Sequence, residues 1–294
     1  MRSLLFVPAD SDRKLAKAMS AGADALLLDL EDSIALDRKE AAREMAREFL
    51  MATKPAETRP RLFVRINSMT TSFWDGDLDI VMRAAPDGIM LPKPRGGEDV
   101  HRLSLALDQL EERYDVAQGS TRVIAISTEL PACVLNMASF VEASSRLEGL
   151  TWGAEDLSAE IGSTATREAS GAFTSPYRLA RDLCLFTAVA AGAQPIDTVF
   201  VDFRDNDGLK AEAAAAARDG FTGKLAIHPD QVPIINAAFT PSEREIERAR
   251  GIVTMFAASP DAGVISLNGQ MYDRPHLIRA ERVLARAGLK VEDV

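Results

Sequence analysis

The stretch ADALLLDLED, residues 23–32, followed by LDRKEAAREMAREFL, residues 36–50, decides the fold. The first half is a near-continuous apolar run that closes on acids. A strand with one wet face alternates apolar and polar residues, so this run reads as a strand buried on both faces. The second half is an amphipathic helix by its apolar spacing.

The same pairing recurs along the chain. RSLLFVPA (2–9) precedes SDRKLAKAMSAG, and RLFVRIN (61–67) leads to GDLDIVMRAA. DGIMLPKP (87–94) leads to EDVHRLSLALDQLEERY, and TRVIAISTEL (121–130) to PACVLNMASFVEAS. LEGLTWGAEDL (147–157) is followed, after a Gly/Ser/Thr-rich loop, by SPYRLARDLCLFTAVAAGA. IDTVFVDF (196–203) precedes NDGLKAEAAAAARDG, and GKLAIHP (223–229) precedes DQVPIINAAF. Eight strand-then-helix units predict a parallel sheet closed into a (β/α)₈ TIM barrel over residues 1–240. A doubly wound open sheet is the alternative, but the Gly-rich phosphate turn GxGxxG is absent from the sequence. Residues 241–294 exceed what a barrel needs. They read as a C-terminal helical extension: a capping pair, a lid or a subunit-exchange arm.

Composition narrows the function. The net charge of −10 comes without a Lys/Arg-rich run, which argues against a nucleic-acid face. No apolar stretch has membrane-spanning length and no signal peptide is evident, so a soluble, cytoplasmic protein is expected. Two cysteines, Cys133 and Cys184, make neither a disulfide framework nor a zinc cluster. Three histidines are too few to suggest a histidine-based metal site. Oxygen ligands are expected for any metal.

Barrel active sites lie at the C-terminal ends of the strands. Read in order, those ends carry Asp29, Glu31 and Asp32, then Arg65 and Asn67, Lys93, Glu129, Glu155 with Asp156, Asp202 with Arg204, and His228. Each has a structural alternative. Asp156 and Asp32 could cap the helices that follow, and Arg65 could pair with Glu31. Gathered on one rim, they form a constellation. Converging carboxylates suit a hard cation held by two acids, with water and substrate oxygens completing an octahedron. Glu129 and Asp156, on adjacent strands, are the natural pair. Glu155 and Asp156 face opposite ways if the chain is still extended there, and spacing alone does not choose between them.

At this point the chain resembles a known family. RSLLFVPA with KLAKA, then ALLLDLEDSI with Lys39 and AAR, is similar to the opening of the citrate lyase beta subunit and its relatives. These are the malyl-CoA and citramalyl-CoA lyases of the HpcH/HpaI aldolase superfamily. The likeness continues through VRIN, DGIMLPK, LEGLTWGAEDLSAEIG, AIHPDQ and GQMYDRPHLIRAERVL, nearly the whole chain. It implies a (β/α)₈ barrel, bound Mg²⁺, a homotrimer or other homo-oligomer, and cleavage or formation of a carbon–carbon bond between a thioester enolate and an α-keto acid.

Carried over residue by residue, the resemblance makes Asp156 of the GxxDL motif one metal ligand. Glu129, on the substrate-facing side, is the other. Arg65 of VRIN contacts substrate, and Glu31 and Asp32 order water around the metal. Asp273 of GQMYDRP matches a C-terminal acid that some relatives supply from a neighbouring subunit, and is the expected acid/base, its carboxyl raised by burial. One stretch departs from the family. In TELPACVLN, Leu130 stands where Thr is common and Cys133 where Gly is common. Two other readings are an acyl-carrier-protein thioester lyase working inside a complex and a pyruvate aldolase needing no thioester.

Overall fold

A computed structural model of the chain describes residues 1–54, 56, 58–259, 262–267 and 270–290. The apolar runs form eight strands: β1 (Ser3–Pro8), β2 (Ala25–Asp29), β3 (Arg61–Arg65), β4 (Gly88–Leu91), β5 (Arg122–Ile126), β6 (Leu147–Thr151), β7 (Gln194–Asp197) and β8 (Gly223–Ala226). They are parallel and close in sequential order, β8 returning to β1 through Ser3↔Lys224 and Leu4↔Leu225. The expected TIM barrel is therefore the observed fold. Leu4, Ala25, Leu27, Phe63, Met90, Ile124, Ile126, Ile196 and Leu225 make one apolar cluster, contributed by every strand of the closed sheet except β6. The intervening Leu26, Leu28, Val64 and Leu91 are equally buried. That double burial is why the strands read as continuous apolar runs rather than alternating ones.

The crossovers are α1 (Asp12–Met19), α2 (Lys39–Thr53), α3 (Trp74–Met82), α4 (Gly97–Arg113), the short α5 (Pro131–Leu135), α6 (Glu155–Ile161), α7 (Ser175–Ala190), α8 (Asn206–Asp219) and α9 (Gln231–Phe239). The chain divides into two compact units, Met1–Asn236 and Ala237–Val294. Among the described residues, no helix is long and apolar enough to cross a membrane.

The seventh strand is shorter than IDTVFVDF suggests. It ends at Asp197, which is buried and accepts from Lys224 Nζ at 2.7 Å and from Trp152 Nε1 at 2.8 Å. The chain then leaves the sheet, exposing Val201 and Phe203. Asp202 and Arg204, read as rim residues, are exposed beyond the strand. His228 stacks on Phe203, ring centroids 5.0 Å apart, and makes no contact with the rim acids among the hydrogen bonds and ion pairs of the described residues.

In the second unit, α10 (Glu243–Ala257) opens on a capping box between Ser242 and Glu245. The unit is not only helical. Between α10 and α11 (Arg274–Arg286), β9 (Val264–Leu267) pairs antiparallel with β10 (Gln270–Asp273). The pattern is period two: Ile265 and Tyr272 are buried while Val264, Ser266 and Met271 are exposed. Those two buried residues join Ala249, Val253, Phe256 and Leu284 in the unit's own core.

Candidate active site

The acids assemble where the strands end. Asp29 closes β2 and Arg65 closes β3, directly opposite each other in the sheet register. Arg65 forks onto Asp29, Nε to Oδ1 and Nη2 to Oδ2, each at 2.7 Å. Its remaining nitrogen, Nη1, lies 3.2 Å from Glu31 Oε2. The sequence suggested an ion pair between Arg65 and Glu31, and that pair is present; cross-strand register adds Asp29 as the closer, bidentate partner. Asp29 also accepts the backbone N–H groups of Glu31 and Ser33, fixing the turn that presents Glu31. Burial works to raise the Asp29 carboxyl, but the hydrogen bonds and charge of Arg65 prevail and hold it below the usual range. The guanidinium sits over the Phe6 ring, 4.7 Å from its centroid.

Lys39 locks the same turn from below. Its buried Nζ donates to Leu30 O, Glu31 O and Asn67 Oδ1, each at 2.7 Å. Asn67 is held in turn by Asp77, which accepts both its backbone and side-chain N–H. Removing the ammonium strands the buried Asn67 Oδ1 and takes one of two donors from Leu30 O and Glu31 O, which keep the Asn67 Nδ2 and Ile34 N–H groups. Lys39→Met is therefore expected to cost about 3 kcal/mol in chemical denaturation, far beyond what an exposed lysine loses. A cost below about 0.5 kcal/mol, the level of an ordinary surface substitution, would remove Lys39 from this role.

Glu129 lies three residues beyond the end of β5, at 3% exposure, and accepts the Lys93 backbone N–H at 2.6 Å. Gly153 makes room for it: a Cβ there would stand 3.2 Å from Glu129 Cγ. Burial pushes the Glu129 carboxyl well up, and the charges of Glu31 and Asp156 push it further. The Glu31 carboxyl is raised too, by burial in the first place, against the pull of Arg65 and Lys93. Its Oε2 is buried without a hydrogen-bond partner.

The two acids of LEGLTWGAEDL do not end an extended strand. β6 stops at Thr151, and Glu155 and Asp156 form the first turn of α6, where negative charge suits the helix dipole. Strand alternation thus cannot choose between them; helical rotation does. Asp156 turns to Lys93, Oδ1 to Nζ at 3.3 Å, while Glu155 is exposed. The same ammonium meets Glu31 Oε1 at 2.7 Å and Asp32 Oδ2 at 2.8 Å. Lys93 stood in the sequence only as a strand end. Nothing in its local sequence signals that it centres the acid cluster.

Asp273 belongs to the second unit. It is the N-cap of α11, its carboxylate Oδ1 lies 2.5 Å from His276 Nδ1, and its side chain is half-exposed. The hydrogen bond to His276 lowers its carboxyl, opposite to the raised acid expected from the sequence. The two departures of TELPACVLN fall on α5: Leu130 is its N-cap, and Cys133 is buried in the core.

A magnesium ion can be tested against these residues. Among the described residues no three His, Cys, Asp or Glu side chains are grouped to hold a metal. Two carboxylates, Glu129 and Asp156, with oxygens from water and substrate, fit a hard cation that keeps part of its hydration. Four carboxylates, Glu31, Asp32, Glu129 and Asp156, gather round Lys93 with its single ammonium, which leaves the cluster rich in negative charge.

An acid cluster with one arginine and one lysine, on the C-terminal rim of a closed (β/α)₈ barrel, is the arrangement of a barrel enzyme. The chain belongs to the HpcH/HpaI aldolase/citrate lyase family, whose sequence profile matches residues 2–229. A profile for a C–C bond lyase of the TIM-barrel fold matches residues 173–290. The chain is 33% identical to the citrate lyase subunit beta of Leuconostoc mesenteroides subsp. cremoris, over 97% of this chain and 93% of that protein. It is 34% identical to the (3S)-malyl-CoA thioesterase of Cereibacter sphaeroides, over 97% and 94%. Among solved structures it is similar to the CitE protein of Mycobacterium tuberculosis in complex with magnesium, acetoacetate and coenzyme A. That match has TM-score 0.78 and 33% identity and covers 98% of this chain and 100% of the other.

Proposed function

We propose that this chain is a Mg²⁺-dependent carbon–carbon lyase acting on a 3-hydroxyacyl thioester such as malyl-CoA or citramalyl-CoA. The products are acetyl-CoA and an α-keto acid, and the reaction runs in either direction. The observation that carries the reading is the placement of the buried Glu129 and of Asp156 on the same Lys93, with Arg65 and Glu31 beside them on one barrel rim. Such a cluster calls for a hard cation, with Glu129 and Asp156 to hold it. Bound there, Mg²⁺ supplies Lewis-acid polarisation of a keto oxygen.

The chain's own residues do the rest. In cleavage, the substrate hydroxyl loses its proton as its carbon becomes the keto carbonyl. The adjacent carbon–carbon bond breaks and its electron pair passes to the thioester enolate, which then gains a proton at carbon. Arg65, fixed by Asp29, offers preorganised donors to the enolate oxygen. Glu31 and Asp32 bind Lys93 and order the water of the site.

A cavity of about 540 Å³ supports a phosphate-bearing carrier. It is lined by Arg13, Lys14 and Lys17, and by Phe6, the ring under Arg65. The acid cluster itself does not line it, which suits a long carrier whose acyl end reaches the acids. Two second readings rest on relatives: the citrate lyase beta subunits favour an acyl-carrier-protein thioester, and the malyl-CoA thioesterase favours thioester hydrolysis. The test is a panel of malyl-, citramalyl- and hydroxymethylglutaryl-type CoA esters given to the purified chain with and without Mg²⁺. Mg²⁺-dependent release of keto acid is the expected result. Free hydroxy acid without keto acid would identify a thioesterase, and turnover only with a carrier protein would identify a complex subunit.

The acid/base is assigned to Asp273, reaching the active site of a neighbouring subunit in a homo-oligomer. In the chain alone its carboxyl is lowered and half-exposed, so burial by the partner must raise it. Asp273→Asn should fold and bind Mg²⁺ normally, because Asn caps a helix as well as Asp. It should lose solvent-deuterium exchange into acetyl-CoA. Mixed with Asp156→Ala chains it should regain part of the activity. Full exchange activity in Asp273→Asn would leave this residue as a helix cap alone.

A further inference from the structure

Lys93 is the residue on which the rim converges. Its backbone is left-handed, φ 49°, a conformation that a lysine adopts at a cost. The surroundings enforce it. The backbone N–H of Lys93 is spent on Glu129, and its Nζ on Glu31, Asp32 and Asp156. One residue therefore touches both proposed metal ligands, one through its backbone and the other through its side chain. The ammonium contact with Asp156 is the longest of the three, at 3.3 Å, against 2.7 and 2.8 Å for the others. A lysine ammonium is a compact charge on a four-carbon stem that rotates without moving the backbone.

We propose that Lys93 is the resident counter-cation of the metal-free site, and that a divalent cation enters by displacing its ammonium from Asp156. The inference rests on the assignment of Glu129 and Asp156 as metal ligands. The Glu129 contact comes from the backbone and survives any change of side chain. The Asp156 contact comes from the ammonium, which shares its sign with the incoming ion. Glu31 and Asp32, at 2.7 and 2.8 Å, retain the displaced ammonium, so it needs no new partner when the cation enters. Lys93 is thus a positioning residue that sets how tightly the site takes metal.

The test is calorimetric titration of the full chain with Mg²⁺ alone, for wild type, Lys93→Gln and Lys93→Arg. A unit charge of like sign about 4 Å from a divalent ion weakens its binding by tenfold or more even under the screening of bulk water. Lys93→Gln is therefore expected to bind Mg²⁺ at least about tenfold more tightly, and Lys93→Arg about as wild type does. Metal-free Lys93→Gln should melt below wild type, since its acids then face one another, and saturating Mg²⁺ should raise its midpoint by more than it raises that of wild type. Equal or weaker Mg²⁺ binding in Lys93→Gln overturns the proposal, since a lysine that merely braced the acids would give that result. Crystals of wild type grown without and with Mg²⁺ decide the matter independently of any variant. The Nζ–Asp156 contact should be present in the first and lost in the second; its persistence beside bound metal would overturn the displacement. Wild type that binds no Mg²⁺ would overturn the ligand assignment, and this inference with it.

Discussion

Glu129→Ala and Asp156→Ala are each expected to abolish turnover and to lose Mg²⁺ binding, with the helical circular-dichroism signal intact. The cation is held by few protein oxygens, so the loss of one charged ligand has nothing to compensate it. The variants differ in their side effects. Asp156 is partly exposed and opens a helix, so its loss costs little stability. Glu129 is buried, with its carboxyl pushed up, and is a liability to the metal-free fold. Glu129→Gln keeps an acceptor for the Lys93 N–H and removes the buried charge, so it should raise the melting temperature of metal-free protein while still failing to turn over. Glu155→Ala is the internal control: this residue is exposed one position away, and metal binding and most activity should remain. Retention of wild-type Mg²⁺ affinity in both alanine variants would show that the metal is held elsewhere.

Arg65→Lys is expected to lower turnover about a hundred- to thousandfold, the usual loss for one preorganised donor to a developing oxyanion. Charge is conserved, but the planar fork is not, and a lysine cannot hold both Asp29 oxygens in that geometry. The structure also offers a rival account, in which Arg65 is simply the counter-ion of the buried Asp29. The two accounts separate in kinetics. An arginine acting on the transition state lowers kcat with Mg²⁺ affinity and KM largely preserved. A purely structural arginine lowers the melting temperature and leaves the kcat of the folded fraction unchanged. That second outcome would remove Arg65 from the chemistry.

How far the site could be read from the chain depended on whether each contact was local. Asp29, Glu31, Arg65 and Glu129 were legible because strand ends in a parallel barrel share one rim, and an apolar run that closes on charge shows where the strand stops. Asp156 was legible only as one of a pair. The turn from β6 into α6 is opened by Ala154 and Glu155, with no side-chain cap to mark where rotation replaces alternation. The antiparallel pairing of β9 and β10 was missed because two four-residue strands present too few alternations to stand out beside long helices.

The sequence by itself determined the eightfold alternation, the burial of the sheet on both faces and the gathering of acids at one end of it. These follow from periodicity and from composition along single segments, which the chain carries wherever it goes. Only the tertiary structure decided that Arg65 belongs to Asp29, through the register of β2 on β3, and that Lys93 centres the cluster. Glu129 is 36 positions from Lys93, and Glu31 is 62. A charge finds its partner through barrel closure, which brings such distant residues within hydrogen-bond reach, and no window of sequence contains that distance.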